Sequence, residues 1–265
     1  MLVNLIKQVL STALQIVILL LAVSWLLDSG AQAMGYTWQW HRIPDYILIY
    51  EDGEWWRGEL LDGLLITLQL SAWSLIATLI IGLTTAFLRL SNSIIGRIIA
   101  RSYVELIRNT PLLVQIYLLY FVFGPIIGLD RFSTAVLALA LFQGAYTSEV
   151  FRAGLNSISL GQFEAAKSLD LPILSTYRFV ILPQVLQKTL PPLTNEVISL
   201  IKNSSIVSVM AIFDLTTQGR NLVSETAMPF EIWFTIAIIY LLLTLSLSGL
   251  SALLAHKLGA QWRTQ

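Results

Sequence analysis

Six apolar stretches, each long enough to cross a lipid bilayer, constrain this chain more than any other feature. They occupy residues 5–27, 62–88, 104–126, 132–153, 191–213 and 231–255. A helix needs about twenty predominantly apolar residues to span the hydrocarbon layer. Charged residues make up 12% of the chain, against about 25% in ordinary soluble domains. The sequence therefore predicts an all-α integral membrane helical bundle with about six transmembrane helices.

The charges between these stretches predict the orientation of the chain. Arg89, Arg97 and Arg101 follow the second stretch without any acidic neighbour, whereas residues 28–61 carry more acids than bases. Lysine and arginine accumulate on the cytoplasmic side of membrane proteins. The loops then alternate, and Lys257 in the tail places both termini in the cytoplasm. Ala31-Gln32-Ala33 imitates a signal-cleavage site, but the preceding apolar run is of spanning length, so an uncleaved first helix is expected.

Residues 156–183 form the long polar interruption in the apolar second half of the chain. Ser159 and Gly161 are expected to break the preceding helix, and GQFEAAKSL is a run of good helix formers. The residue before Pro172 avoids the helical region, which stops that run. A second segment, ILSTYRFVI, follows and is expected to end at Pro183. The pattern predicts a compact helix–turn–helix on the cytoplasmic face.

This interruption resembles the EAA loop in the membrane subunits of ATP-binding-cassette importers. The matching positions are Glu164, Ala165, Ala166, Leu182 and Pro183. Asp170 occupies the position of the family glycine. Aspartate is one of the few other residues that adopt the left-handed conformation, so a similar turn remains possible.

Three further blocks resemble the polar amino-acid branch of the same family. They are ELIRNTPLLVQ at 105–115, GAYTSEVFRAG at 144–154 and IKNSSIV at 201–207. The four blocks occur in order and cover roughly residues 66–215. The resemblance implies a permease domain at 62–265, preceded by an N-terminal helix and external loop at 1–61.

The resemblance also implies the partners of the chain. Two separate ATPase subunits would bind ATP and Mg²⁺ and would bind the loop at residues 156–183. Two permease subunits, identical or homologous, would form the pathway in the bacterial inner membrane. A soluble binding protein would deliver an amino acid. The implied coupling residues are Gly161, Glu164, Ala165, Ala166, Asp170, Leu171 and Pro183. Glu164 is expected to cap or salt-bridge within the loop, and Ala165 and Ala166 are expected to let the partner approach closely.

Polar side chains inside the predicted spans are the candidates for a substrate pathway, since lipid accommodates them poorly. The candidates are Gln115, Gln143, Tyr146, Glu196, Asn203 and Ser204. Near the inner interface, Glu196 and Lys202 have the alternative of extending their polar ends toward water. Glu149 and Arg152 are expected to pair and to hold the loop at 156–183.

Local signals add three expectations about the helices. Glu105 and Arg108 lie three residues apart on one helical face, where they are placed to pair. Pro111 should kink or open the third span. Pro191 and Pro192 should mark the start of the fifth, because proline is tolerated in a first turn.

Seven aromatic residues crowd the external loop between Gly30 and Glu59. They are Tyr36, Trp38, Trp40, Tyr46, Tyr50, Trp55 and Trp56. Tryptophan and tyrosine favour the membrane–water interface, which predicts an interfacial belt or a short surface helix. The alternative is a landing surface for a soluble partner.

The residues that are absent exclude several functions. No phosphate-binding Gly-x-x-x-x-Gly-Lys-Ser/Thr loop, no cysteine and no clustered histidine occur, so neither ATP binding by this chain nor a catalytic or metal site is expected. A net charge of zero gives no argument for nucleic acid. The main alternative is a self-sufficient secondary carrier or channel that uses Glu149, Glu196 or Lys202. A membrane enzyme is less well supported, because no catalytic constellation is found.

Overall fold

A computed structural model describes residues 2–263, and describes only the backbone for residues 2–10, 20, 23, 27, 31 and 254–263. The side chain of Lys257, used above to orient the tail, lies outside the described residues. The chain is almost entirely helical. Its helices are α1 (Leu2–Ala33), α2 (Glu59–Leu90), α3 (Ile94–Arg108), α4 (Leu112–Leu118), α5 (Gly124–Ile127), α6 (Arg131–Asn156), α7 (Leu160–Ser168), α8 (Ile173–Ser175), α9 (Leu182–Ser204), α10 (Leu215–Thr226) and α11 (Pro229–Arg263).

Four of these helices are long and apolar enough to cross a membrane by themselves. They are α2, α6, the Ser11–Gly30 part of α1 and the Pro229–Leu253 part of α11. Two bent pairs add up to two more spans. The axis turns by 110° between α3 and residues 112–127, and by 51° between residues 173–210 and α10. The described part of the chain thus contains four to six spans, which confirms the predicted helical membrane bundle.

The three proline signals have different outcomes. Pro111 lies in the 110° bend, so the expected break of the third span is present. Pro183 does not end the second arm of the 156–183 stretch, because α8 continues through a π-helical segment, Thr176–Ile181, into α9. A second π-helical segment, Leu119–Phe123, ends two residues before Pro125. The wider π turn lets the helix continue past a residue that cannot donate a hydrogen bond.

Pro191 and Pro192 lie inside α9, so the prediction that they begin a span is wrong. Each removes one hydrogen bond to the residue four positions earlier. Those residues, Gln187 and Lys188, are exposed, so water can satisfy their carbonyl groups.

Helices α2 and α6 share the most extensive helix–helix contact among the described residues. A Cβ atom on Gly82 would lie 2.9 Å from Cγ2 of Thr147, and one on Gly144 would lie 2.8 Å from Cγ2 of Ile81. Two glycines, one from each helix, therefore let the backbones approach closely, as small residues do in membrane bundles. The main core lies beside this contact and includes Leu70, Ile116, Leu139, Leu200 and Met210.

The segment between α1 and α2 contains strands that the sequence prediction missed. A 3₁₀ helix, Trp40–Tyr46, leads to β1 (Leu48–Glu51), which pairs antiparallel with β2 (Glu54–Arg57). Asp52 and Gly53 form the turn with φ of 52° and 85°. Asp-Gly between two short runs of strand-forming residues is a hairpin signal, so the sequence did contain it.

Hydrogen bonds and a ring contact attach the segment between α1 and α2 to the first turn of α11. Glu231 is fully buried, and its carboxylate accepts hydrogen bonds from the hydroxyl of Tyr36 and, at 2.6 Å, from the backbone N–H of Gln39. The rings of Tyr36 and Phe230 meet edge to face with centroids 4.9 Å apart. A buried carboxylate with two donors is well satisfied, so these contacts fix the start of the segment against the bundle.

Candidate functional site

Helices α7 and α8 form the helix–turn–helix predicted for residues 156–183. The preceding helix ends at Asn156, before Ser159, and Gly161 lies within the first turn of α7 rather than breaking a helix. The turn itself follows the expectation for Asp170, which has a left-handed φ of 51°. The N–H of Leu171 donates to the carbonyl of Ala166 at 3.1 Å, and that of Asp170 to Lys167 at 3.0 Å. These two bonds are the Schellman pattern that usually has glycine at this position.

The implied coupling residues do not all face outward. Gly161, Glu164, Ala165, Asp170 and Leu171 are exposed, whereas Pro183 is partly buried at the start of α9. Ala166 is 2% exposed, so the expectation that it admits a partner surface is wrong. Its small side chain instead lets α7 pack closely onto the chain's own second arm.

Glu164 also departs from its expected role. Across the described residues, its carboxylate accepts no hydrogen bond and has no cation within 4 Å, and only its backbone carbonyl is used, by Ser168 Oγ at 3.0 Å. The expected cap or salt bridge within the loop is therefore absent. The charged group is left available to another molecule.

Large apolar side chains project from both arms of the hairpin. Leu160, Leu169, Ile173 and Leu174 are each 74–79% exposed. The sequence prediction did not single them out. Leu169, Ile173 and Leu174 flank the turn, whereas Leu160 lies at the start of α7, at the other end of that arm. The base of the hairpin is packed, since Ile158, Ile181 and Val185 form a buried cluster. The tip is thus apolar and open on a rigid support.

Two of the pathway candidates come together between α6 and α9. The amide of Gln143, which is 2% exposed, donates to the carboxylate of Glu196, which is partly buried. Tyr146 lies one turn further along α6 and packs against Phe142. Asn203 is partly buried two turns beyond Glu196. These residues give the α6–α9 contact a polar character inside an otherwise apolar bundle.

Gln115 and Ser204 are buried elsewhere and serve the fold. The amide nitrogen of Gln115 donates to the carbonyls of Ile107 at 2.8 Å and Thr110 at 3.1 Å, which the break at Pro111 leaves unpaired. The hydroxyl of Ser204, which is fully buried, donates to Ile201 in its own helix. The prediction that these two line a pathway is not supported by their positions.

Glu149 is the centre of an ion cluster that the sequence showed only in part. Its expected partner Arg152 is present, with Nη2 at 2.8 Å and Nε at 3.0 Å from Oε2. Arg89 from α2 bonds the other oxygen, and Nη1 of Arg108 from α3 lies 3.7 Å from it. The cluster joins α2, α3 and α6, and the expectation that the Glu149–Arg152 pair holds the hairpin stays a prediction.

Arg108 consequently has a different partner from the one expected. Glu105 is exposed and forms no ion pair with it or with any other described cation. A spacing of three residues makes two side chains neighbours on a helix surface, but it does not prevent one of them from pairing with a third group. Here the more buried carboxylate of Glu149 attracts Arg108, a contact between two helices that spacing alone does not reveal.

Comparison with known proteins gives the same answer at three levels. Residues 78–259 match the family described as binding-protein-dependent transport system inner membrane component. The putative glutamine transport system permease protein GlnP of Rickettsia typhi is 36% identical over 201 residues, covering 75% of this chain and 92% of that protein. GlnP of Escherichia coli is 36% identical over 192 residues, covering 71% of this chain and 88% of that protein.

Solved structures share the fold. A crystal structure of an amino acid ABC transporter with histidines is 38% identical, covers 75% of this chain and 94% of its own, and superimposes with a TM-score of 0.69. The MetNI methionine ABC transporter is 17% identical with a TM-score of 0.64, which supports the fold alone. The relatives that are at least 36% identical are thus named as permease proteins of glutamine transport systems or as an amino acid ABC transporter. This chain therefore belongs to the family of binding-protein-dependent transport system inner membrane components.

Proposed function

We propose that this chain is the permease subunit of an ATP-driven importer for a polar amino acid. Two such subunits, identical or homologous, form the pathway, and two separate ATPase subunits bind ATP with Mg²⁺. A soluble binding protein delivers the solute to the outer face. The names of the relatives make glutamine the first solute to test. Both termini lie on the cytoplasmic side.

The apolar tip of the α7–α8 hairpin is the observation that supports this proposal best. Leu169 on one side of the turn, and Ile173 and Leu174 on the other, are each at least 74% exposed. A cluster of large apolar side chains at the end of a polar hairpin is typical of a surface that another protein covers. Covering it would stabilise the complex by about 25 cal/mol for each Å² of apolar surface that is buried. The exposed carboxylate of Glu164 would then pair with a cation of the ATPase.

The connection from the hairpin to the bundle supports a coupling mechanism. Helix α8 continues without a break through the π-helical segment into α9, which carries Glu196. Movement of the ATPase subunits at the hairpin would therefore be transmitted along this continuous helix to α9. Thr189 on α9 packs against Gly154 on α6, so the two helices would move against each other at that contact.

The polar contact between α6 and α9 supports a pathway for a solute with an ammonium group. Glu196 offers a carboxylate that is partly exposed, and Gln143 holds it in place. An ionisable group at this depth is stabilised by facing a watery cavity rather than lipid. Substrate binding would then change with the relative position of the two helices.

Co-purification from the native membrane tests the proposal. Tagged chain in mild detergent should retain a stoichiometric subunit that contains a phosphate-binding loop. Replacing exposed Ala165 with arginine should release that subunit and abolish ATP-driven uptake in liposomes. Asn92→Arg, at the exposed turn between α2 and α3, is the matched control and should change neither.

Undiminished uptake by Ala165→Arg would remove the coupling role of the hairpin. Uptake by the purified chain alone, without ATP, would instead establish a self-sufficient carrier. A second permease sequence in the purified complex would decide between a heterodimer and a homodimer.

A further inference from the structure

A polar cavity of 390 Å³ opens between α3 and α6, beside the ion cluster. Its lining includes Arg89, Arg101, Arg108, Asn109, Tyr146 and Glu149. Glu149 lies seven residues before the end of α6, and Arg101 is exposed. The cavity is thus at the same end of the bundle as the α7–α8 hairpin and is reached from outside the protein.

The carboxylate of Glu149 is already fully used. Arg89, whose side chain is only 15% exposed, bonds one oxygen, and Arg152 bonds the other through two nitrogens. Arg108 approaches to 3.7 Å, beyond hydrogen-bonding distance. Its donors therefore remain available, although electrostatic attraction keeps it beside the cluster.

Among the described residues, two guanidinium groups of the lining have no carboxylate at hydrogen-bonding distance. Arg108 is held with its Cζ atom 5.4 Å from the ring centroid of Tyr146. Arg101 precedes it by two helical turns and so projects from the same side of α3. Within the described parts of the chain, Arg101 has no carboxylate within 4 Å. Both residues line the cavity.

The charge around the cavity is unbalanced. Four guanidinium groups, including that of Arg152, are countered by the carboxylates of Glu149, Glu105 and Glu196, the last of which interacts electrostatically with Arg108, and this leaves an excess of one positive charge. Such a charge attracts an anion more strongly near low-dielectric protein than in bulk water. Guanidinium groups match the paired oxygens of carboxylate and phosphate, whereas a single halide ion would use only part of their donors.

We propose that this cavity binds an oxyanion through Arg101 and Arg108. The oxyanion is the carboxylate of the transported amino acid as it leaves, or the phosphate of a lipid in the inner leaflet. The first source rests on the proposed transport function, whereas the second does not. Binding to the purified chain is therefore the readout, because it can be measured without the ATPase or transport.

The experiment uses the purified full chain in nanodiscs made of zwitterionic lipid. Phosphatidylglycerol is added and counted by native mass spectrometry, and radiolabelled L-glutamine binding is measured by equilibrium dialysis. L-glutaminamide, which lacks the carboxylate, is the competitor control. Arg101→Gln and Arg108→Gln should each weaken binding about tenfold or more, the usual effect of losing a charged hydrogen bond.

Arg97→Gln is the matched control, since it removes the same charge from the same helix outside the cavity lining. Arg101→Gln also keeps the test independent of folding, because Arg101 has no ion pair to lose. Selective loss of phosphatidylglycerol supports the lipid source, and selective loss of L-glutamine that L-glutaminamide cannot displace supports the solute source. Equal weakening by Arg97→Gln, or no binding of either probe to the unmodified chain, would overturn the proposal.

Discussion

The side-chain amide of Gln143 donates a hydrogen bond to the carboxylate of Glu196 and thereby joins α6 to α9. Gln143 is buried, and its own amide oxygen has no partner among the described residues. Glu196 is the less buried member of the pair. One residue thus fixes the geometry, while the other keeps part of its side chain exposed.

Replacing Glu196 with glutamine should reduce ATP-driven uptake without dissolving the complex. The amide keeps the size and one hydrogen bond but removes the negative charge that a cationic ammonium group would contact. Loss of a charged hydrogen bond is worth about 1.5–3 kcal/mol, or roughly ten- to a hundredfold in uptake at low solute concentration. Glu225→Gln, on the exposed side of α10, is the control and should retain full uptake. Normal uptake by Glu196→Gln would exclude this carboxylate from the pathway.

Gly154→Ala should destabilise the contact between α6 and α9. A Cβ atom at Gly154 would overlap Cγ2 of Thr189, and that β-branched, fully buried side chain has little freedom to turn away. Overpacking of this kind costs about 1–3 kcal/mol. Thermal unfolding in detergent measures the effect.

Gly161→Ala is the matched control for that substitution. Nothing lies within 4 Å of a Cβ atom at this helical glycine, so alanine should stabilise α7 by about 0.5–1 kcal/mol. Opposite shifts of the two variants would support the packing account. A decrease in both would show that glycine at 154 has no special packing role.

Asp170→Gly should stabilise the hairpin turn. Asp170 has φ of 51°, a conformation that glycine adopts freely and that strains other residues by up to about 1–2 kcal/mol. Because its exposed side chain forms no bond that compensates, we expect a gain of up to about 1 kcal/mol. Asp170→Val, which suits this conformation least, should lower the unfolding midpoint instead. The sign of the difference between the two variants is the measurement that decides.

The contact of residues 36–39 with Glu231 of α11 should weaken at alkaline pH. Burial, together with the hydrogen bond and charge of Glu231, raises the pKa of Tyr36 from 10.0 to about 12. Because the folded pKa exceeds the unfolded one, the folded state holds the proton more tightly. The stability from this group is complete below pH 10 and is lost as the pH rises toward 12.

Tyr36→Phe should remove that part of the pH dependence and lower stability at neutral pH, since buried Glu231 would lose a donor. The readout is limited proteolysis of residues 34–58 at different pH values. The range runs from about pH 8 to about pH 12, which is roughly two units on either side of the unperturbed tyrosine pKa. Tyr50→Phe on the exposed hairpin is the control. An unchanged pH profile in Tyr36→Phe would contradict the account.

Local sequence signals predicted much of this structure because their physical causes are local. Apolar length predicted the spans, Pro111 predicted the bend, and the left-handed tendency of aspartate predicted the conformation of Asp170. The Asp-Gly signal for the turn between β1 and β2 was also present in the sequence, but the surrounding aromatic residues led to the prediction of a membrane belt instead.

The errors share a different physical origin. Pro183 was expected to end a helix and Pro191 to begin one, but proline removes only one donor, and a π turn or exposed carbonyls accommodate that loss. Gln115 and Ser204 are polar residues in spans, yet each satisfies a backbone carbonyl of its own segment. Polarity at a predicted depth does not distinguish such a residue from one that faces a pathway.

The sequence by itself determined the membrane bundle, the helix–turn–helix at 156–183 and the family, because length, composition and short motifs are properties of the chain alone. Only the tertiary structure decided which side chains meet. It paired Gln143 with Glu196 across 53 positions and Glu149 with Arg89 across 60, buried Ala166 and left Arg101 without a carboxylate partner among the described residues. Ion pairs and close packing depend on distances between helices, and those distances are fixed by how the helices pack rather than by spacing along the chain.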